Sequence, residues 1–149
     1  MSASVRPEDF APLPSDKAER WSQFPHWGQP MNYNIHLGFV VEDIRQEYAR
    51  LRLPVRWEVN QPAGIVHGGA IAGLIDITAV PAVGWAGEVA GRLVTISMDV
   101  QYLSAIRDED AVCEVWVTKR GKSIVFCAAR VNGATTGTLC ATGSLVYKV

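Results

Sequence analysis

Cysteine is scarce in this chain and unsuited to any cysteine-based device. The three that occur, Cys113, Cys127 and Cys140, are an odd number, and each lies inside an apolar, strand-like run. With no CxxC pair and no Cys/His cluster, neither a zinc site nor a dithiol redox centre is expected, and no metal is assigned. Reduced, buried thiols are the plain reading. Charge of one sign is not in excess either: 14 Lys and Arg stand against 15 Asp and Glu, a net charge of −1. No global field therefore marks nucleic acid or a membrane surface as a partner, and the first residues show no helix-turn-helix pattern or basic tract. The opening MSASVRPEDFAPLPSDKAERW holds no apolar stretch of signal-peptide type, so the cytoplasm is the expected address. A long uninterrupted apolar run is missing too. The nearest, Gly68 to Ala86, carries Asp76, Thr78 and Pro81, and a membrane span rarely holds an unpaired carboxylate at its centre.

What remains is ordinary globular material. The 149 residues are 48% apolar and 19% charged, enough for one domain with its own core. Residues 1–30 are rich in Pro, Ser and charge and read as a flexible arm, with a short helix near Ser15 to Gln23. Residues 31–149 make up the folded domain. A helical turn is expected at Asn32 to Leu37, ended by Gly38. Strand signals follow at Phe39 to Ile44 and Glu47 to Val55, the second alternating Ala49, Leu51 and Leu53 against Tyr48, Arg50 and Arg52. Next comes a helix that is apolar on every side, His67 to Ala86, with Pro81 as a point of distortion. Four further runs, Leu93 to Leu103, Ala111 to Arg120, Ser123 to Val131 and Thr138 to Tyr147, read as a meander. Turn chemistry joins them at Arg107-Asp108-Glu109-Asp110, Arg120-Gly121-Lys122 and Asn132-Gly133. The fold class is α+β, a curved antiparallel sheet of five to six strands wrapped around one long central helix. Incomplete closure leaves edges that a second copy can extend.

The segment that carries chemistry runs from Asn60 to Asp76. Asp76 sits mid-helix among Leu74, Ile75, Ile77 and Val80, where a lone carboxylate is costly to bury. Two readings are open: an Asp bonded to nearby backbone, Thr78 or Thr95, or a general base or nucleophile. His67-Gly68-Gly69 is either a plain helix start or a turn whose bare N–H groups, backed by the helix dipole, stabilise an oxyanion. Geometry tests whether the two belong together. Gly68 and Asp76 are eight residues apart, which at ~1.5 Å per residue is roughly 12 Å along a helix. One reacting carbon reaches only about 3 Å to each. Either the pair is unrelated, or Asp76 of one copy faces the helix start of another across a two-fold axis.

The segment "NQPAGIVHGGAIAGLIDITA", with "HLGF" upstream and "VTISMDVQYLSA" and "VTKRGKSIVFCAARVNGATTGTLCATGSLVYKV" after it, resembles the hot-dog-fold thioesterases of the phenylacetate-degradation, PaaI-like type. That group carries an Asn…HGG…Asp signature, and the likeness spans residues 36–149. The resemblance implies a hot-dog fold and hydrolysis of an acyl-CoA thioester to free acid and coenzyme A, with no cofactor beyond the CoA of the substrate. It implies Asp76 as general base or nucleophile and Gly68 as the backbone N–H donor to the thioester carbonyl. His67 and Asn60 would position thioester or water. Thr95 stands where the family often has a serine that orients the carboxylate. It also implies a homodimer, usually a dimer of dimers, with the site at the protomer seam.

CoA phosphates call for cations. Lys119, Arg120 and Lys122 cluster at one turn and Arg107 at another, as a phosphate clamp or as solvated turn residues. Ile71, Val80, Val83 and Trp85 are candidates to line the acyl slot or to be core only. Phe24, His26 and Trp27 either cap that pocket or dock on the sheet. Two other functions fit the same residues. One is a hydratase or dehydratase of acyl thioesters using His67, and the other is a non-catalytic acyl-CoA-binding protein.

Overall fold

Alternating branched and polar residues decide the sheet. In the computed structural model, which describes residues 5–87 and 93–149, the strands β1 (Val40–Arg45) and β2 (Tyr48–Leu53) pair as an antiparallel hairpin. A two-strand ladder, β3 (Asn60–Gln61) with β4 (Ile65–Val66), leads into the long helix. Four longer strands follow it: β5 (Val94–Tyr102), β6 (Ala111–Arg120), β7 (Ile124–Gly133) and β8 (Leu139–Lys148). Six strands form one antiparallel sheet in the order β1-β2-β6-β7-β8-β5, as the α+β reading expected. Ala49, Leu51 and Leu53 turn inward and are buried, whereas Arg50 and Arg52 on the alternate face are only partly so. Cys113 and Cys127 lie buried, and burial pushes both thiols up to about 12, so they behave as small apolar side chains.

The four-strand meander is corrected in one respect. β5 does not pair with β6; it pairs with β8 at the far edge of the sheet. The acidic residues read as a hairpin turn tie down other loops instead. Asp110 Oδ1 accepts from Val55 N–H at 2.7 Å, and Glu109 accepts from the N–H groups of Thr135 and Thr136. Segment 103–110 is therefore a crossover, and β5 is left with one unpaired edge.

Helices form where the caps permit. Asn32 accepts from Ile35 N–H at 3.1 Å and starts α2 (Tyr33–Leu37), which ends at Gly38 with φ +73°, a left-handed stop that suits glycine. The central helix, α3 (Gly68–Gly84), runs through Pro81. Its interior face is Leu74, Ile75, Ala79 and Ala82, all fully buried against the sheet. Each Leu or Ile there stabilises by about 1.5–3 kcal/mol. Its end is tied down from outside, by Arg120 on Val83 O in the last turn and by Lys17 and Arg20 on Gly87 O in the turn that follows.

The segment read as a flexible arm is docked over residues 5–30; residues 1–4 lie outside the described residues. Its helix α1 (Ser15–Trp21) delivers Trp21 to a cluster with Phe24 and Trp27, ring centroids 5.2–5.4 Å apart. This cluster packs on the end of α3, where a Cβ on Gly84 would meet the Trp21 ring at 3.0 Å. Further upstream Phe10 stacks on Tyr48 at 5.0 Å. Composition reported the polar surface of this segment; the buried aromatic area of Trp21 and Phe24 decides its conformation.

Candidate active site

One stripe of α3 escapes the sheet. Gly69, Ala72, Gly73, Asp76 and Val80 are exposed or half-buried while their neighbours are covered, a spacing that places them on a single helical face. The helix that looked apolar all round thus has an open seam of small residues with one carboxylate in it. A cavity of about 230 Å³ opens there, lined by Tyr33, Gly73, Asp76, Val80, Thr95 and Tyr147 among others. Its described lining holds no Lys, Arg or His.

Asp76 is held from two strands. Thr95 on β5 donates to its Oδ1 at 2.9 Å. Tyr147 on β8, 1% exposed, donates to the same oxygen at 2.5 Å and lies 2.9 Å from the Asp76 carbonyl. Burial, and then the Asp76 charge beside it, push the Tyr147 phenol well above its usual range, so it stays a proton donor. Thr95 meets Asp76 as one of the two readings required; Thr78 does not, because its hydroxyl donates to Leu74 O at 2.6 Å. Tyr147 escaped sequence reasoning. Its inward parity follows from the alternation of β8, but its meeting with Asp76 depends on where the helix lies.

The helix start is equally specific. His67 is the N-cap, its Nδ1 accepting from Gly69 N–H at 2.8 Å, which leaves its Nε2 edge facing out. The N–H groups of Ala70 and Ile71 turn back to His67 O. Among the described residues the Gly68 N–H has no acceptor, so it is the one bare donor of the first turn. Tyr102 donates to Gly68 O at 2.8 Å, and a Cβ on Gly68 would meet its ring at 3.3 Å. Asn60 lies opposite Val66 in the small ladder, with a buried Oδ1 that has no partner among the described residues. A second cavity, about 360 Å³, borders Gly68 and runs along Tyr102, Ser104 and Ile106.

The chain brings Asp76 and Thr95 together, and separately His67, Gly68 and Asn60. The two groups remain at different levels of one continuous helix. The basic residues are divided. Arg107 donates to the carbonyls of Ala63 and Gly64 and so props the turn before α3. Arg120 is bonded to both oxygens of Glu47 and to Val83 O, a structural tie rather than a free clamp. Lys119 and Lys122 are exposed. Of the apolar candidates, Val83 is core, Ile71 is buried and also lines the cavity beside Gly68, and Val80 lines the Asp76 cavity, while Trp85 donates to Glu47. Phe24 and Trp27 dock rather than cap.

A larger surface cavity, about 490 Å³, lies elsewhere, beside Arg50, Glu114, Arg130 and Asn132 on the outer face of the sheet. Size does not make it the better site, because Glu114 and Arg130 there satisfy each other. Among the described residues no group of three His, Cys, Asp or Glu could hold a metal ion, and no helix is long and apolar enough to cross a membrane.

Solved structures share this architecture. A protein of the thioesterase superfamily aligns at 27% identity and a TM-score of 0.78, over 91% of this chain and 99% of that one. The PaaI protein of the phenylacetic acid degradation operon of E. coli aligns at 16% identity and 0.77, over 90% and 94%. Zebrafish thioesterase superfamily member 2 aligns at 21% and 0.75, over 85% and 93%. The last two likenesses carry the hot-dog fold. No curated protein matches the chain. The thioesterase-superfamily profile matches residues 63–140, from the turn that Arg107 props, through the Gly68 helix start and Asp76, to the beginning of β8. With more than half of its length covered, this chain belongs to the thioesterase superfamily.

Proposed function

We propose that the protein is an acyl-CoA thioesterase whose working unit is a pair of chains. The carrying observation is the bare Gly68 N–H at the start of the same helix that holds Asp76 on its uncovered stripe. With the two groups roughly 12 Å apart along one helix, a single chain cannot apply both to one carbonyl carbon. Two helices meeting antiparallel on their uncovered stripes bring Asp76 of one to the helix start of the other. The open edge of β5, with Val94, Ile96 and Tyr102 each more than half exposed, suits continuation of the sheet into a second copy. A dimer of dimers would follow from a further surface.

In that pair the thioester carbonyl oxygen accepts from Gly68 N–H, where the helix dipole favours the growing negative charge. Asn60 Oδ1, buried without a partner, takes up a water or substrate donor, and the outward edge of His67 steadies the thioester. Asp76 either takes a proton from the attacking water, which the thiolate collects as the C–S bond breaks, or attacks the carbonyl carbon itself, expelling the thiolate and forming an acyl–Asp76 anhydride. Water then hydrolyses that anhydride to the free acid and the restored carboxylate, and the proton released goes to the thiolate, giving CoA–SH. Lys119 and Lys122, both exposed, supply cations for the CoA phosphates, joined by the remaining N–H groups of Arg107. Lys119→Ala and Lys122→Ala then raise KM several-fold and leave kcat nearly unchanged, because they touch only the part of the substrate that does not react.

Thiol release from a panel of aliphatic and aromatic acyl-CoAs tests the reaction. Asp76→Asn is expected to keep the fold and lose about 10²- to 10⁴-fold in kcat. Undiminished turnover would end the proposal, and hydration of an enoyl-CoA without thiol release would replace it with the hydratase reading. Subunit mixing tests the pairing. Gly68→Pro removes the bare N–H while adding a Cβ about 3.3 Å from the Tyr102 ring, and the extended His67 before it (ψ 134°) accepts a following proline. Mixed with Asp76→Asn it should recover about one quarter of full activity, since half the dimers are mixed and each keeps one intact site.

A further inference from the structure

We propose that Tyr147 is a positioning residue that pins Oδ1 of Asp76 and so reserves Oδ2 for the reaction. The inference rests on the assignment of Asp76 as the reacting carboxylate and adds which of its oxygens works and what holds it. Both donors that reach the side chain fall on Oδ1, Thr95 at 2.9 Å and Tyr147 at 2.5 Å. A carboxylate oxygen has two lone-pair directions, and both are taken. Oδ2 receives no hydrogen bond among the described residues, and the cavity in front of it offers no cation. The Tyr147 hydroxyl also lies 2.9 Å from the Asp76 backbone carbonyl, so it sits against both the backbone and the side chain of the residue it holds. Being buried on a central-sheet strand, it cannot swing away with the substrate.

β8 presents Tyr147, β5 presents Thr95, and α2 presents Tyr33, whose hydroxyl overlies Gly73 so closely that a Cβ there would sit 2.4 Å from it. Among the described residues this lining holds no Lys, Arg or His, and the donors that reach the carboxylate are the two hydroxyls on Oδ1. During hydrolysis by general base, the proton of the attacking water passes to Oδ2 and later leaves with the thiolate sulfur. In nucleophilic attack Oδ2 forms the new C–O bond as the C–S bond breaks and the thiolate leaves; water then hydrolyses the anhydride, returning Oδ2 to the carboxylate and a proton to the thiolate. Oδ1 stays bonded to its two hydroxyls in both.

Tyr147→Phe deletes the donor and keeps the ring in the core. Expected are a kcat about ten- to a hundredfold lower, a KM close to that of the parent, and an acid limb of the kcat–pH profile moved up by roughly one unit. The sign follows from losing a donor to the charged form: the carboxyl then protonates at higher pH. A merely structural tyrosine would lower the melting temperature and leave the limb in place. Thr95→Val, on the exposed edge strand, should move the limb the same way, and Thr95→Ser should bring it back. If Tyr147→Phe does not fold, the threonine pair decides. A limb unmoved in every folded variant, with Asp76→Asn inactive, overturns this inference alone. An active Asp76→Asn overturns the thioesterase mechanism and this inference together.

Discussion

Two tyrosine–carboxylate pairs sit on opposite faces of one sheet and are completed in opposite ways. On the inner face Tyr147 and Thr95 load one oxygen of Asp76 and leave the other bare. On the outer face Tyr48 donates to Glu114 Oε1 at 2.7 Å, and Arg130 donates to Oε2 at 2.7 Å. Arg130 also bonds Val5 O and lies 5.8 Å over the Trp116 ring. Glu114 is fully engaged and compensated; Asp76 has hydroxyls but, among the described residues, no cation. The same two residue types thus make a brace in one place and a reactive group in the other. What separates them is the second oxygen.

Removing the cation should break the brace first. Arg130→Met leaves a buried carboxylate without its charge partner, and is expected to cost about 3 kcal/mol of stability, read in urea or thermal melts, with kcat unaffected. Its pH dependence carries a sign. Burial pushes the Glu114 carboxyl up, but the Arg130 and Tyr48 hydrogen bonds outweigh it and hold the group below its usual range. A depressed carboxylate contributes stability above its unfolded pKa and loses it as pH falls through the folded one. Without Arg130 burial prevails and the order reverses. The stability gap between parent and Arg130→Met should therefore narrow from about pH 7 to about pH 4. A gap that widens on acidification would show that Glu114 is not held ionised by Arg130.

Tyr48→Phe comes next, at about 1.5–2 kcal/mol, the typical worth of a hydrogen bond to a charged group. It should leave the pH profile of turnover where it is. That is the contrast with Tyr147→Phe, whose signature is a moved acid limb. Should Tyr48→Phe move the limb as well, the two faces would be coupled through β8 and β7, and the division drawn here would fail.

Periodicity made most of the fold legible. β6 falls on the residues expected of it, and α3 differs only at its ends. Local chemistry made the helix start legible, since a His-Gly-Gly turn and its bare N–H are settled within a few residues. What stayed hidden is what sequence-distant segments decide. Tyr147 meets Asp76 across 71 positions, and Tyr48 meets Glu114 across 66. The Asp108–Asp110 turn looked like a hairpin because acidic residues favour turns, yet its carboxylates serve Val55 and Thr135. Arg120 looked like a free cation because Glu47, its partner, is 73 residues away.

The smallest effect probes what keeps water from each pair. The outer network is covered by the chain's own first segment: Phe10 stacks on Tyr48, Ala11 O accepts from Gln46 N–H, and Val5 O accepts from Arg130. The inner carboxylate has no such cover among the described residues, and in the proposed pair its stripe meets a second copy. Phe10→Ala removes one stacked ring, worth about 1 kcal/mol. It should speed proteolytic clipping before Ser15 while leaving thiol release per folded molecule unchanged. If activity fell in step with release of this segment, the segment would belong to the reacting face, and the outer brace would no longer be independent of Asp76.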